Sequence, residues 1–213
     1  MKKRRLITAI SLLALVTSAY VLGWSSLFTV SAIEINGTKN SLPITIKKGE
    51  KLARVEPRIV ASGYQKYDWV KSAVVSRNWI NGKVSITITE RTPIAVFNNL
   101  AIDAQGQSFI ITGQEISSLP KIQAPSVDSA IIAAAFFREL PVEISSKVRL
   151  LKFHSGDTFI MEITSDKGSL ELRWGRSEEN LLKAKVYQAL LLQPENAHLK
   201  KVDVSAPHAP IVK

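Results

Sequence analysis

The feature that most constrains this chain stands at its start. No charged residue occurs between Leu6 and Ile33, and the run just before it, Lys2-Lys3-Arg4-Arg5, is wholly basic. Leu, Ile, Val and Ala dominate from Leu6 to Trp24. Roughly 20 apolar residues, rising about 1.5 Å each, are needed to cross a hydrocarbon core. Lipid offers the backbone no hydrogen-bond partner, so a spanning segment must be helical. The pattern predicts a membrane helix over residues 6–27, with Trp24 and Phe28 at the interface. The basic run has no matching cluster after the segment, which assigns residues 1–5 to the cytoplasm and the folded mass to the other side. The alternative is a cleaved signal peptide. Its apolar core is typically about 7–15 residues long, and the nearest approach to a cleavage site, Thr17-Ser18-Ala19-Tyr20, lies inside the apolar run.

The 213 residues leave room beyond that segment for one large or two small domains. Hydrophobic residues at 46% and charged residues at 22% belong to folded material rather than a disordered tail. Two α+β modules follow from the patterning. In the first, Val30 to Gly37 alternates and ends at a turn, as a strand does. Pro43 and Gly49 punctuate a mixed stretch. Pro57 opens a helix that Gly63 closes. Trp69–Trp79 and Lys83–Glu90 are strands on either side of Asn81-Gly82, a two-residue hairpin turn. The expected product is a small three-stranded sheet with helices on one face.

The second module begins near Thr92-Pro93. Strands are expected over 94–98, on both sides of the Ala104-Gln105-Gly106 turn, and over a short extended piece at 119–122. A well-buried helix covers 127–140, with Asp128 in its first turn. Three strands follow, 148–154, 159–164 and 170–174, joined by turns at Ser155-Gly156-Asp157 and Asp166-Lys167-Gly168. Ser177 is the expected N-cap of a last helix that Pro194 ends. Leu199–Val204 is the last strand, and Pro207 and Pro210 mark a tail over 206–213.

No catalytic pattern emerges. His154, His198 and His208 lack metal-ligand spacing, and no G-x-S-x-G, P-loop or S-x-x-K is present. Asp103, Asp157 and Asp166 lie at turns, where Asp bonds its own backbone. Ser145-Ser146-Lys147 is a solvated loop. With no cysteine, disulfides, thiolate metal sites and Cys nucleophiles are excluded together. No cofactor or metal is therefore expected. The net charge of +10 leaves a basic exterior even without the first five residues. It suits lipid headgroups or an anionic wall polymer. No Lys/Arg stripe with interleaved aromatics points to nucleic acid. Glu90-Arg91-Thr92-Pro93 stands at the module junction, as a charged strand end broken by Pro or as an inter-domain clamp of Glu90, Arg91 and Pro93.

Along its whole length the chain resembles the FtsQ/DivIB family of bacterial cell-division proteins. The resemblance rests on Phe28-Thr29-Val30 and Ile33–Gly37 after the apolar segment, and on Gly49-Glu50-Lys51-Leu52. Its most specific stretches are Trp69–Trp79 and Ile86–Ala95. Ile102–Gly106, Leu119-Pro120 and Val202-Asp203-Val204-Ser205 with Pro207 complete the order. It implies a POTRA domain over residues 28–93, a β domain over 94–205 and a short tail. It also implies a non-enzymatic scaffold at the division septum that binds FtsB/DivIC-like and FtsL-like bitopic partners and helps regulate septal peptidoglycan synthesis.

The family's partner docks on the last strand of the β domain. That corresponds to Lys200, Lys201, Val202, Asp203, Val204 and Ser205 and to the tail as far as Val212. An edge strand carries unpaired N–H and C=O groups that an extended segment can bond; Val202, Val204 and Val212 are expected to supply apolar pockets there. Two departures are visible. The family has Pro after the position of Trp79, where this chain has Ile80-Asn81-Gly82. The short Gly37–Gly49 stretch, holding Pro43, stunts the first POTRA helix. A POTRA-bearing transport or assembly component is the alternative, though no series of alternating membrane strands accompanies it.

Overall fold

A computed structural model of the chain describes residues 2–23, 27–110, 118–165, 168–196 and 198–213. The chain divides into two compact units, Met1–Arg91 and Thr92–Lys213.

In the first unit, α1 covers Lys2–Gly23. Its large apolar side chains from Leu6 to Tyr20 lie open on all sides. Even so, among the described residues no helix is long and apolar enough to cross a membrane. The apolar part of α1, from Leu6, rises about 27 Å at ~1.5 Å per residue, short of a ~30 Å hydrocarbon core. The expected span over 6–27 runs on into residues 24–26, which lie outside the described residues.

A three-stranded sheet follows, in the order β1 (Ala32–Asn36), β3 (Lys83–Glu90), β2 (Val70–Arg77). The parallel β1–β3 pair needs a crossover, supplied by a 3-10 turn at Leu52–Arg54 and by α2 (Pro57–Tyr64). Residues 38–51 form no helix, so the first POTRA helix is reduced to that turn. Alternation works as expected: Val84, Ile86 and Ile88 of β3 point into a core with Ala73 and Val75, covered by Leu52, Val55 and Tyr64. The hairpin differs from the two-residue turn that Asn81-Gly82 suggests. Its loop runs over residues 78–82, because Asn78 Oδ1 accepts the backbone N–H of Ile80 and Asn81 and forms a longer side-chain-bonded turn. Gly82 closes it at φ +71, where a Cβ would stand 2.4 Å from the Thr29 carbonyl oxygen.

The second unit is built on one nine-stranded sheet among the described residues. Its strands in chain order are β4 (Pro93–Phe97), β5 (Leu100–Asp103), β6 (Ser108–Ile110) and β7 (Lys121–Gln123). Then come β8 (Val148–His154), β9 (Thr158–Ser165), β10 (Gly168–Gly175), β11 (Lys201–Asp203) and β12 (Ile211–Val212). Their spatial order is β12-β11-β10-β9-β8-β7-β4-β5-β6. The β9–β10 turn expected at Asp166-Lys167-Gly168 begins outside the described residues.

Helices α3 (Val127–Glu139), α4 (Val142–Ser145) and α5 (Asn180–Leu192) complete the unit. One sheet face is buried: Leu151, Met161, Leu172 and Val202 join Ala130, Ala133, Phe136 and Tyr187 in a single core. The other face carries charge, with Lys152–Glu162 and Lys201–Glu171 ion pairs across neighbouring strands. Phe136 stacks on Phe159 at 3.9 Å beside the fully buried Trp174.

Helix α3 holds Asp128 in its first turn, as expected, and Ser126 caps it, its hydroxyl accepting the Ser129 N–H. Ser177 does not cap α5; Glu179, in the left-handed region at φ 51, takes that position. Ser177 instead joins a chain in which the Trp174 indole N–H donates to Asn180, Asn180 to Ser177 and Ser177 to Glu139. A buried indole needs such an acceptor, and Asn180 is committed to it.

Inside α5, Lys183 is 2% exposed and its ammonium donates to the Arg176 carbonyl at 2.8 Å. Burial lowers its pKa from the ordinary value against the opposing pull of Glu178 and Glu179. The cost of burying that charge is full below the folded pKa and is relieved as pH rises towards 10.5. Stability therefore climbs as pH rises from the lowered folded pKa towards 10.5. The phenol of Tyr187, pushed up by burial to about 12, opposes this only above its ordinary 10.0. Denaturant titrations of the chain and of Lys183→Met across that window are expected to show the rise in the first and its loss in the second.

Candidate functional site at the sheet edge

The C-terminal strand pair is the region that the sequence singled out for partner binding. β11 is parallel to β10, with Leu172 opposite Val202. Its outer side is also occupied. β12 returns antiparallel, with Val202 opposite Val212 and Asp203 opposite Ile211. Lys201 and Lys213 exchange both backbone hydrogen bonds, at 3.0 and 2.9 Å. The unpaired edge expected on Lys200–Ser205 is thus closed by the chain's own tail, and residues 206–213 are not loose. The reversal is built locally. Asp203 Oδ1 accepts both the N–H and the hydroxyl of Ser205, the Ala209 N–H donates to Ala206, and Pro207 is buried.

Side-chain placement sorts the candidate residues. Val202 and Val204 are fully buried in the core, so neither lines an accessible pocket. Val212 is partly buried against the same core. Lys201 is on the charged face and its ammonium lies 2.8 Å from Glu171. That hydrogen bond holds the Glu171 carboxyl below the ordinary carboxylate range, with Arg173 adding to it. Lys200 and Ser205 are exposed. The Lys200 carbonyl accepts the Glu171 N–H, and its own N–H donates to Lys213.

What remains outward is on β12. In an antiparallel pair, residues that exchange both bonds alternate with residues whose N–H and C=O point away from the partner. Lys213 faces β11, so the N–H and C=O of Val212 face outward. Ile211, 57% exposed, stands on the charged side of the sheet beside Asp203 and Lys201. Pro210 brings no donor to the edge. The other end of the described sheet is β6, whose Ile110 is 58% exposed.

At the junction, Glu90 and Arg91 bond within the first unit. Glu90 Oε1 accepts from Thr38 and Asn40. Arg91 donates from its backbone N–H to Trp69 and from Nε to Asp68. Pro93 opens β4. Of the turn acids, Asp103 is buried and accepts from the Gln105 and Gln107 N–H groups. Asp157, at φ 54, borders an open depression of about 500 Å³ with Glu139, Arg176 and Ser177. His154 ends β8. Among the described residues no group of three or more His, Cys, Asp or Glu is placed to hold a metal ion.

Comparison with known proteins agrees with this layout. The family model "POTRA domain, FtsQ-type" matches residues 28–91, the sheet and helix of the first unit. The Cell division protein FtsQ of Streptomyces venezuelae is 27% identical in an alignment of 231 residues that takes in 97% of this chain and 83% of that protein. Residues 28–91 thus form a POTRA domain of the FtsQ type. FtsQ of Salinibacter ruber is 29% identical over 129 residues, 57% of this chain and 48% of the relative. FtsQ of Rhodothermus marinus is 27% identical over 135 residues, 61% and 47%. The chain spans about half the length of these last two relatives.

Sequence reasoning named Lys200–Ser205 and Val212 but did not place Ile211 and Lys213 in a strand paired to β11. The signal available was the β-branched pair Ile211-Val212 beyond Pro210. The burial pattern gives a sharp test. Val204→Glu puts an unpaired charge into the core and is expected to cost at least about 3 kcal/mol, whereas Ile211→Glu stays within about 0.5 kcal/mol. Urea denaturation of both variants checks it.

Proposed function

We propose that this chain is a bitopic scaffold of the bacterial division machinery, recruited to the septum. It has no reaction of its own there, and it presents the β12 edge to an extended segment of an FtsB/DivIC-like partner. The observation that supports this most directly is the outward N–H and C=O of Val212 on the outer side of β12. A strand that adds there gains backbone bonds, and its alternate side chains meet two different surfaces. On the core side lie Val212, Leu199 and Leu190. On the other lie Ile211, Lys201 and Lys213. The fitting segment alternates an apolar residue with an acidic one. FtsL-like partners join through that complex, and the scaffold thereby takes part in regulating septal peptidoglycan synthesis.

The membrane enters the same reading. A helix that is apolar all round and, among its described residues, leaves its large side chains from Leu6 to Tyr20 exposed needs an apolar surrounding. With the charge-free stretch continuing to Ile33, α1 and the residues after it make a single span, the basic run holding the N-terminus in the cytoplasm.

Val212→Pro removes the one outward donor and keeps the strand, since Pro is tolerated at a sheet edge. Co-purification of the full chain with its FtsB/DivIC-like partner, both expressed in a host membrane, is expected to fall at least about tenfold, equivalent to ~1.4 kcal/mol. A thermal midpoint close to that of the unaltered chain shows that the fold survives. Undiminished co-purification from a folded variant removes β12 as the docking edge.

A further inference from the structure

The POTRA unit has a second exposed feature that partner binding at β12 does not use. Ile80, at the tip of the β2–β3 hairpin, is 97% exposed, and Leu27 is 75% exposed. Ile80 is not on a loose loop. Asn78 Oδ1 holds its N–H at 3.0 Å, Asn78 O accepts the Gly82 N–H at 3.0 Å, and Asn81 Oδ1 accepts the Lys83 N–H at 3.0 Å. An apolar side chain held outward by a rigid turn is prepared for an apolar surrounding rather than merely tolerated in water.

The hairpin tip is tied to the segment by which the chain leaves α1. The Ser31 N–H donates to Gly82 at 2.8 Å and the Ser31 hydroxyl to Asn81 at 2.6 Å. The missing side chain of Gly82 lets the two backbones meet. Phe28 packs edge-on against Trp79 at 6.0 Å, and the Arg77 guanidinium lies 5.2 Å from the same indole. On the other flank of this segment, Val30 exchanges hydrogen bonds with Gly49 and Glu50, and the Leu52 N–H donates to Phe28. That loop carries Lys47 and Lys48, both exposed, and Lys51, half-buried. Residues 27–31, which carry Leu27 and Phe28, are thus flanked by the hairpin of Trp79 and Ile80 on one side and the loop of the three lysines on the other. Only three residues lie between Gly23 and Leu27, so the chain cannot place Leu27 more than about 14 Å from the end of α1.

We propose that this end of the POTRA unit rests on the bilayer, with Ile80 and Leu27 in the boundary between headgroups and acyl chains and Lys47, Lys48 and Lys51 over anionic headgroups. This rests on reading α1 as a membrane span. Apolar residues at the centre, aromatics at the boundary and lysines around them form the composition that binds an interface. The lysines add attraction that depends on anionic lipid. The consequence is mechanical: a domain joined to its anchor by a few residues and seated at a second point loses its freedom to swing. The β2–β3 hairpin then sets the direction in which the POTRA unit leaves the membrane.

The chain contains no cysteine, so Ile80→Cys carries one nitroxide in the full chain. The chain is reconstituted into vesicles of phosphatidylcholine with phosphatidylglycerol. Lys66→Cys is the reference, an exposed site at the far end of β2, roughly 25 Å from the tip at ~3.3 Å per residue. The label at 80 is expected to collide with oxygen more than with an aqueous nickel chelate, by at least about threefold relative to the label at 66. Substituting the fully exposed Ile80 by Asp is expected to move a label at Leu27→Cys towards water without changing the thermal midpoint. A label at 80 as open to the nickel chelate as that at 66, in protein that resists alkaline extraction, overturns the seating and leaves the span intact. Protein released by alkaline extraction overturns both. Equal immersion in vesicles of phosphatidylcholine alone overturns the role given to the lysines.

Discussion

The backbone exchange between Lys201 and Lys213 decides where the large sheet ends, and much of the second unit is arranged around it. A sheet closed by neither a barrel nor a covering element must finish in a row of unpaired N–H and C=O groups. Here the row is shortened rather than abolished. β11 is enclosed between β10 and β12, Val202 and Val204 are spent on the core, and Asp203 is spent on the reversal at Ser205. What remains is a two-residue strand preceded by a proline and followed by a lysine. Such an edge is poor at pairing with copies of itself, yet it offers a segment of matching pattern one donor and one acceptor at Val212.

The first unit depends on a comparable piece of backbone. Residues 28–31 are held between the Gly49–Leu52 loop on one side and the β2–β3 hairpin on the other. The chain therefore enters its fold as a paired segment, not as a flexible leader. Gly82 makes this possible, since its Cα lies against the Thr29 carbonyl where no side chain fits. Each unit thus leaves a different feature exposed: a terminal strand in one, a hairpin tip and its neighbouring lysines in the other. Neither depends on a buried reactive group. The most unusual buried charge, Lys183, is tied to a backbone carbonyl within α5's own surroundings.

Much of this architecture was legible from the residues because two periods rarely coincide by accident. Val84, Ile86 and Ile88 alternate as a half-buried strand must, and each is buried. Pro57 and the apolar stretch before Glu139 likewise mark helices where helices occur. The errors have physical reasons. Two residues are too few for any periodicity, so Ile211-Val212 was hidden behind Pro207 and Pro210. Those prolines read as breakers although Pro207 packs inside. Ser177 has the right chemistry for a cap, but the Trp174 indole needed Asn180, and Ser177 was drawn into that chain instead. Val202 and Val204 have the pattern of any inward face, and sequence alone does not say whether what covers such a face is a partner or the chain itself. The apolar segment was unmistakable, and its described part is helical as far as Gly23.

The central claim is that β12, and not some other strand, is the edge that a partner extends. Its most direct test is photo-crosslinking in living cells with a benzoyl-phenylalanine placed singly at Ile211 or at Ile110, the exposed positions on the two end strands of the described sheet. The account predicts a crosslink to the FtsB/DivIC-like protein from position 211 and none from position 110. The reverse pattern, with the partner captured at Ile110 and absent at Ile211, contradicts it.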